Sequence, residues 1–179
     1  MPHQPRSPDE GDERPDDEGV ELVPLRLFTV EGERVTVSLP AVARENLHLL
    51  ADAVRSALLG EGADEERDLQ RLFPPAYEDD ERRDEEYQRL MRDELLAARL
   101  GALDVFEAGL DRGELDRAGF DRWLQALNTI RVWLGTRLGV DDDDWEPHPD
   151  DDRIAEIGAY TTVGVLLEVA LATLDEPSS

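Results

Sequence analysis

The densest run of ligand atoms in the chain is Asp141-Asp142-Asp143-Asp144-Trp145-Glu146-Pro147-His148-Pro149-Asp150-Asp151-Asp152, with eight carboxylates. Oxygen donors at that density attract hard cations such as Ca²⁺ or Mg²⁺. The spacing does not fit an EF-hand. Pro147 and Pro149 interrupt it, no glycine stands sixth from Asp141, and the twelfth residue is Asp152 instead of Glu. We therefore expect a solvated acidic loop over 141–152, with no metal ligand in it. Imidazoles add little. His48 stands one helical turn from Asp52 and near Glu45, a setting that suits a pH-responsive group, but on a polar helix face it reads as an exposed residue. His3, His48 and His148 share no helical face, so no histidine metal site is expected. Acid pairs such as Glu85/Glu86 do not make an acid–base couple without a cleft around them.

What is missing narrows the chemistry further. The chain has no cysteine, and all 19 of its basic residues are arginine, so lysine is absent too. Thiol nucleophiles, thiolate ligands, Schiff bases and a P-loop lysine are excluded together. The expectation is a protein with no catalytic residue and no cofactor. Its 44 acidic residues set a net charge of −25. Such a surface repels a phosphate backbone, whose binding needs a cationic face, so strong direct nucleic-acid binding is not expected. A protein partner with a basic surface is the better match.

Two clusters carry residue types suited to such contacts. Arg71-Leu72-Phe73-Pro74-Pro75-Ala76-Tyr77 has a stiff Pro-Pro unit that presents Phe73 and Tyr77 as aromatic anchors. The same stiffness equally suits clamping a linker onto the protein's own core. In the second cluster, Asn128 and Arg131 flank an apolar stripe, where an arginine must reach water or find a partner. Gly135 lies in the last turns of a helix, where it costs about 1 kcal/mol against alanine unless something approaches closely. Thr136 and Arg137 follow at the helix end, where a cation complements the dipole. Both clusters stand open between a partner-binding surface and a structural joint.

The elements that must position these residues follow from periodicity. Residues 1–20, with seven acids against two arginines and almost nothing apolar, read as a disordered acidic tail. Together with 141–152 they hold about half of the charge imbalance. Within 21–39, Val35, Val37 and Leu39 alternate with Arg34, Thr36 and Ser38, and Glu31-Gly32-Glu33 supplies the turn of a β-hairpin. Leu27 and Phe28 compete for its inward face. Pro40 precedes a helix with Ala43, Leu47, Leu50, Val54, Ala57 and Leu58 on one stripe, closed by Gly60 and Gly62. Asp79 or Asp80 caps a helix running from about Glu81 to Leu110, with a kink or break expected near Asp93. It has two adjacent stripes, Met91/Leu95/Ala98/Ala102/Val105 and Leu96/Leu100/Leu103/Phe106/Leu110. Asp116 is the next N-cap, with Leu115 and Phe120 spaced as a hydrophobic staple. Phe120, Trp123, Leu124, Leu127, Ile130, Leu134 and Leu138 then face inward, and Gly139 ends the helix.

The last segment, about Arg153–Leu174, is apolar nearly all round and close to membrane-spanning length. Glu168 falls well inside it, and a charge near a bilayer centre costs at least about 2.5 kcal/mol. We expect a buried central helix or a dimer face, which leaves a homodimer open. No apolar leader opens the chain, and a cytoplasmic location is expected. The fold expected is mainly α: one domain over 21–175 with about five helices and an N-terminal two-stranded antiparallel β-hairpin.

The segment Arg71–Tyr77, followed by an acidic helix start, and the segment Leu127-Asn128-Thr129-Ile130-Arg131-Val132-Trp133-Leu134-Gly135-Thr136-Arg137-Leu138-Gly139-Val140 together resemble an actinobacterial family of domains of unknown function. Some of its members are described as AosR-type oxidative-stress transcriptional regulators. The resemblance spans about Leu22–Leu174. It implies a regulator that contacts the transcription machinery, a stress sigma factor or RNA polymerase. Redox-sensing members use cysteine chemistry, and this chain departs from them in having none, so a disulfide switch cannot operate here. Relatives are also associated with the Clp protease adaptor, which makes an interaction module or adaptor in regulated proteolysis the alternative; a metal-dependent enzyme is the third and least favoured reading. The family motifs imply no catalytic roles.

Overall fold

The period-2 pattern of Arg34–Val37 settles into a strand with Val35 and Val37 inward, 0% and 5% exposed. In the computed structural model, which describes residues 26–61, 69, 71–74, 81–140 and 152–175, this strand is β2. It pairs antiparallel with β1, Phe28–Glu31, in the register Phe28↔Val37 and Glu31↔Arg34. Gly32 takes φ +62° in the connecting turn, a left-handed value that glycine reaches without steric cost. The inward face left open between Leu27 and Phe28 goes to Phe28, which is buried, while Leu27 is half-buried.

A third strand was not expected. β3, Glu114–Asp116, pairs antiparallel with β2 and makes a sheet of order β1-β2-β3. At three residues it is too short for alternation to show. Its one buried residue, Leu115, is also the residue that packs in the staple of the following helix. Gly113, at φ +69°, turns the chain out of the preceding helix, and its carbonyl accepts a hydrogen bond from Val37 N at 2.9 Å. The two-stranded hairpin thus supplies an edge strand, β1, and the central strand, β2, of a three-stranded sheet.

Four helices are found among the described residues: α1 Ala41–Leu58, α2 Glu81–Arg112, α3 Arg117–Leu138 and α4 Ile154–Asp175. About five were expected. The break expected near Asp93 is absent: α2 runs through it without interruption, no proline stands between Glu81 and Arg112, and helix-forming residues dominate there. The tail 1–20, the loop 141–151 and the caps Asp79 and Asp80 lie outside the described residues.

Of the α1 stripe, Leu47, Val54, Ala57 and Leu58 are buried and Ala43 and Leu50 half-buried, with Ala51 added at the centre. On α2 the second stripe wins. Leu103, Phe106 and Leu110 are at most 1% exposed, whereas Ala98 of the first stripe faces water. α3 begins as its sequence dictates: the Asp116 carboxylate accepts from Gly119 N at 2.6 Å, and Leu115 and Phe120 are both buried. All seven of its expected core residues are buried, and Gly139 closes it at φ +70°.

α3 packs against every other helix and against β2 and β3. Around Trp123, fully buried, gather Phe28, Phe106 and Phe120, with ring centroids 4.9–5.7 Å away. Each such ring contributes about 1.5–3 kcal/mol by leaving water, plus the offset geometry aromatic pairs prefer. α4 does not take the central position considered for it. It lies at the rim against α3 and β1, with only Val163, Leu166 and Ala170 buried. It is long and apolar enough to cross a membrane, which by itself is weak evidence for one.

Two glycines of α2 test this packing. A Cβ at the exposed Gly101 meets nothing within 4 Å, so Gly101→Ala should raise stability by about 0.5–1 kcal/mol in denaturant titration. A Cβ at Gly109 would lie 2.9 Å from Leu115 Cδ1 and 3.0 Å from Trp123 Cδ1, both in the core. Gly109→Ala should lose about 1 kcal/mol or more in spite of the same propensity gain.

Candidate partner-binding site

Leu69 and Leu72, both buried, fasten the segment before α2 to the core, and Leu72 N and Phe73 N both donate to Leu69 O in a tight turn. Phe73 leaves that turn half-buried. Two α2 arginines seven residues apart, and so on one helix face, hold its ring: the guanidinium carbons of Arg92 and Arg99 lie 5.2 and 5.4 Å from the ring centroid. Arg99 also donates from Nη2 to Leu72 O at 2.5 Å and from Nη1 to Thr129 Oγ1 at 3.4 Å. Its Nε is buried without a hydrogen-bond partner. Burial pushes the Arg99 guanidinium below the ordinary arginine range.

Arg71 turns to the other end of the second cluster. Its Nη1 donates to the carbonyl of Val140, just past α3. The carbonyl end of α3 holds two further arginines. Arg137 lies over the Trp133 ring at 5.0 Å and pairs with Glu156 of α4 at 2.9 Å. Arg153 donates to Arg137 O at 3.2 Å. Cations at this end meet the negative pole of the helix. Two turns earlier, the Arg131 guanidinium sits over the Tyr160 ring at 5.5 Å. That same ring explains Gly135, because a Cβ there would come within 3.3 Å of Tyr160 Cε2. The close approach expected of Gly135 is made by a side chain of α4.

The two clusters are therefore joined, by contacts that are made within the protein itself. Thr136 is buried and donates to Val132 O at 2.9 Å within its own helix. Asn128 and Pro74 are exposed, while Pro75 and Tyr77 lie outside the described residues. Asn128 borders a hollow of about 230 Å³ between α2 and α3, with Arg99, Gln125 and Thr129 around it. Arg92, Arg99, Trp133 and Tyr160 were missed from the sequence. The seven-residue spacing of Arg92 and Arg99 was the available signal; Tyr160 had none, because its partner is distant in sequence.

On the far side of α2, Arg55 of α1 meets Glu107 and Asp104 at 2.5 and 2.9 Å. Burial alone would lower its affinity for the proton, but the two carboxylates outweigh that and hold it above the ordinary arginine range. His48 is placed against Asp111 of α2 at 3.1 Å, not against Asp52 or Glu45. Among the described residues, no group of three or more His, Asp or Glu side chains is arranged to hold a metal ion.

A joint of three helices built from arginine–aromatic and arginine–carbonyl contacts is what the geometry defines. The chain belongs to the family described as Domain of unknown function (DUF2017), which it matches over residues 25–174. No curated protein and no solved structure matches it.

Arg99→Met keeps the stem and removes the guanidinium. It should cost about 1–3 kcal/mol in chemical denaturation through the lost Leu72 and Phe73 contacts. Asn128→Ala, at the exposed edge of the hollow, should stay within about 0.5 kcal/mol of the parent.

Proposed function

We propose that this protein is a non-enzymatic regulator that docks onto a protein of the transcription machinery, a stress sigma factor or RNA polymerase, in the cytoplasm. One observation carries the reading. The chain has a net charge of −25, and Arg55, Arg99, Arg131 and Arg137 are engaged on the protein's own carboxylates, carbonyls and rings. Carboxylates outnumber arginines 44 to 19, so the field around the protein is strongly anionic and favours a basic partner. Electrostatic attraction of this kind mainly speeds encounter and sets specificity.

The sequence resemblance to actinobacterial oxidative-stress regulators supports the choice of partner class. With no cysteine in the chain, its trigger is a change other than thiol oxidation, such as partner abundance. Exposed Asn128 and Pro74, beside the arginine joint, supply the polar and stiff edges of the docking surface.

Affinity purification from stressed cells, followed by mass spectrometry, tests the reading. Polymerase subunits or a sigma factor should be recovered, and binding to the purified partner should weaken about tenfold or more between 50 and 300 mM salt as surface charges are screened. Recovery of Clp protease components without polymerase would move the protein to regulated proteolysis, and salt-insensitive binding would remove the electrostatic basis.

A further inference from the structure

Helix α4 is the most apolar of the four described helices, and one side of it is uncovered. Its spanning-length window has mean hydropathy 1.7 and is 17% buried. The core takes Val163, Leu166 and Ala170. On the open side, Ala155, Gly158, Thr162, Val165, Val169 and Ala172 follow one another at alternating steps of three and four residues. All six are exposed and none is charged. A strict seven-residue repeat of this kind is the seam one helix offers to another.

The two halves of this face differ in shape. Beside the N-terminal half, α1 and α4 enclose an apolar groove of about 680 Å³. Its α1 wall includes Val42 and Leu49, 70% and 63% exposed, and its α4 wall includes Gly158 and Thr162. A Cβ built on Gly158 meets nothing within 4 Å, so the space above it is open. On the C-terminal half, Val165 and Val169 stand out at 51% and 37% exposure. One end is a hollow and the other a pair of knobs.

We propose that this face closes on a second copy of the chain, α4 against α4, antiparallel about a two-fold axis between Thr162 and Val165. In that register Ala155 faces Ala172 of the second copy, Gly158 faces Val169, and Thr162 faces Val165. Each copy's knobs enter the other's hollow, so one patch serves both sides, as a two-fold contact requires. A different partner would have to supply the complementary shape; a second copy already carries it.

Charge selects the same arrangement. Glu168 is the one exposed ionised side chain between Ala155 and Ala172. Antiparallel pairing sets it beside Thr161 of the second copy and about 13 Å along the axis from the other Glu168, beyond the screening length at physiological salt. Parallel pairing would hold the two carboxylates level. A bilayer is disfavoured by the same residue and by the net charge of −25, which an anionic leaflet repels. The contact leaves the acidic surface free, so it does not depend on the proposed function.

Sedimentation of the full chain at about 100 µM should give twice the 20.1 kDa monomer mass. Val169→Glu should weaken self-association on the order of a hundredfold with helical circular dichroism unchanged. Leu171→Glu, exposed but off the seam, should leave the dimer intact. The chain has no cysteine of its own, so Gly158→Cys with Val169→Cys should form a disulfide-linked dimer on mild oxidation. A monomeric parent, a Val169→Glu variant that stays dimeric, or co-sedimentation of the parent with phosphatidylglycerol vesicles would each overturn the proposal.

Discussion

Helix α3 is apolar around most of its circumference, and the rest of the molecule is arranged to keep water from it. Twelve of its residues are buried, including Phe120, Trp123, Ile130 and Trp133. A helix like that cannot be covered by one neighbour. The aromatic end around Trp123 is covered by the sheet and the C-terminal half of α2, and the Trp133 end by α4. Hydrophobic burial is non-directional and does not specify how the covering elements are oriented. The directional contacts at the edges of α3 do that.

Those contacts are made largely by arginine. Arg99 ties the segment 71–74 to α2 and α3 at once, Arg131 meets Tyr160 across α3 and α4, and Arg137 bridges to Glu156. A planar guanidinium can stack on a ring and donate in its own plane together, which a lysine ammonium cannot. A chain that has only arginine as its cation can therefore use each one as both packing and hydrogen-bond donor. The consequence is electrostatic as well as structural. Cations that serve the joint are engaged within the fold, and carboxylates outnumber arginines 44 to 19 in the chain.

The sequence was most legible where local signals are strong. The Asp116 cap, the Gly139 stop, the hairpin turn at Gly32 and the α3 core stripe all rest on contacts within a few residues. It was least legible where the deciding partner is far along the chain. β3 needed β2, nearly 80 residues away, to be recognised as a strand. His48 found Asp111 instead of its helical neighbour, and Gly135 was explained by Tyr160. The all-round hydropathy of α4 pointed to burial, yet α3 and β1 cover only one side of it. For the candidate site, residue types drew attention to two segments that the arginine contacts join. Composition does not tell an arginine turned inward from one held out to a partner.

Guanidinium NMR on ¹⁵N-arginine-labelled protein reads that distinction directly. If the arginines are the joint of the fold, Arg99 Hε will exchange slowly with water and its side-chain resonances will be displaced by the Phe73 ring current, with Arg131 shifted by Tyr160 and Arg137 by Trp133. Random-coil shifts and rapid Hε exchange for all three would mean that these cations are free at the surface and that the joint does not exist.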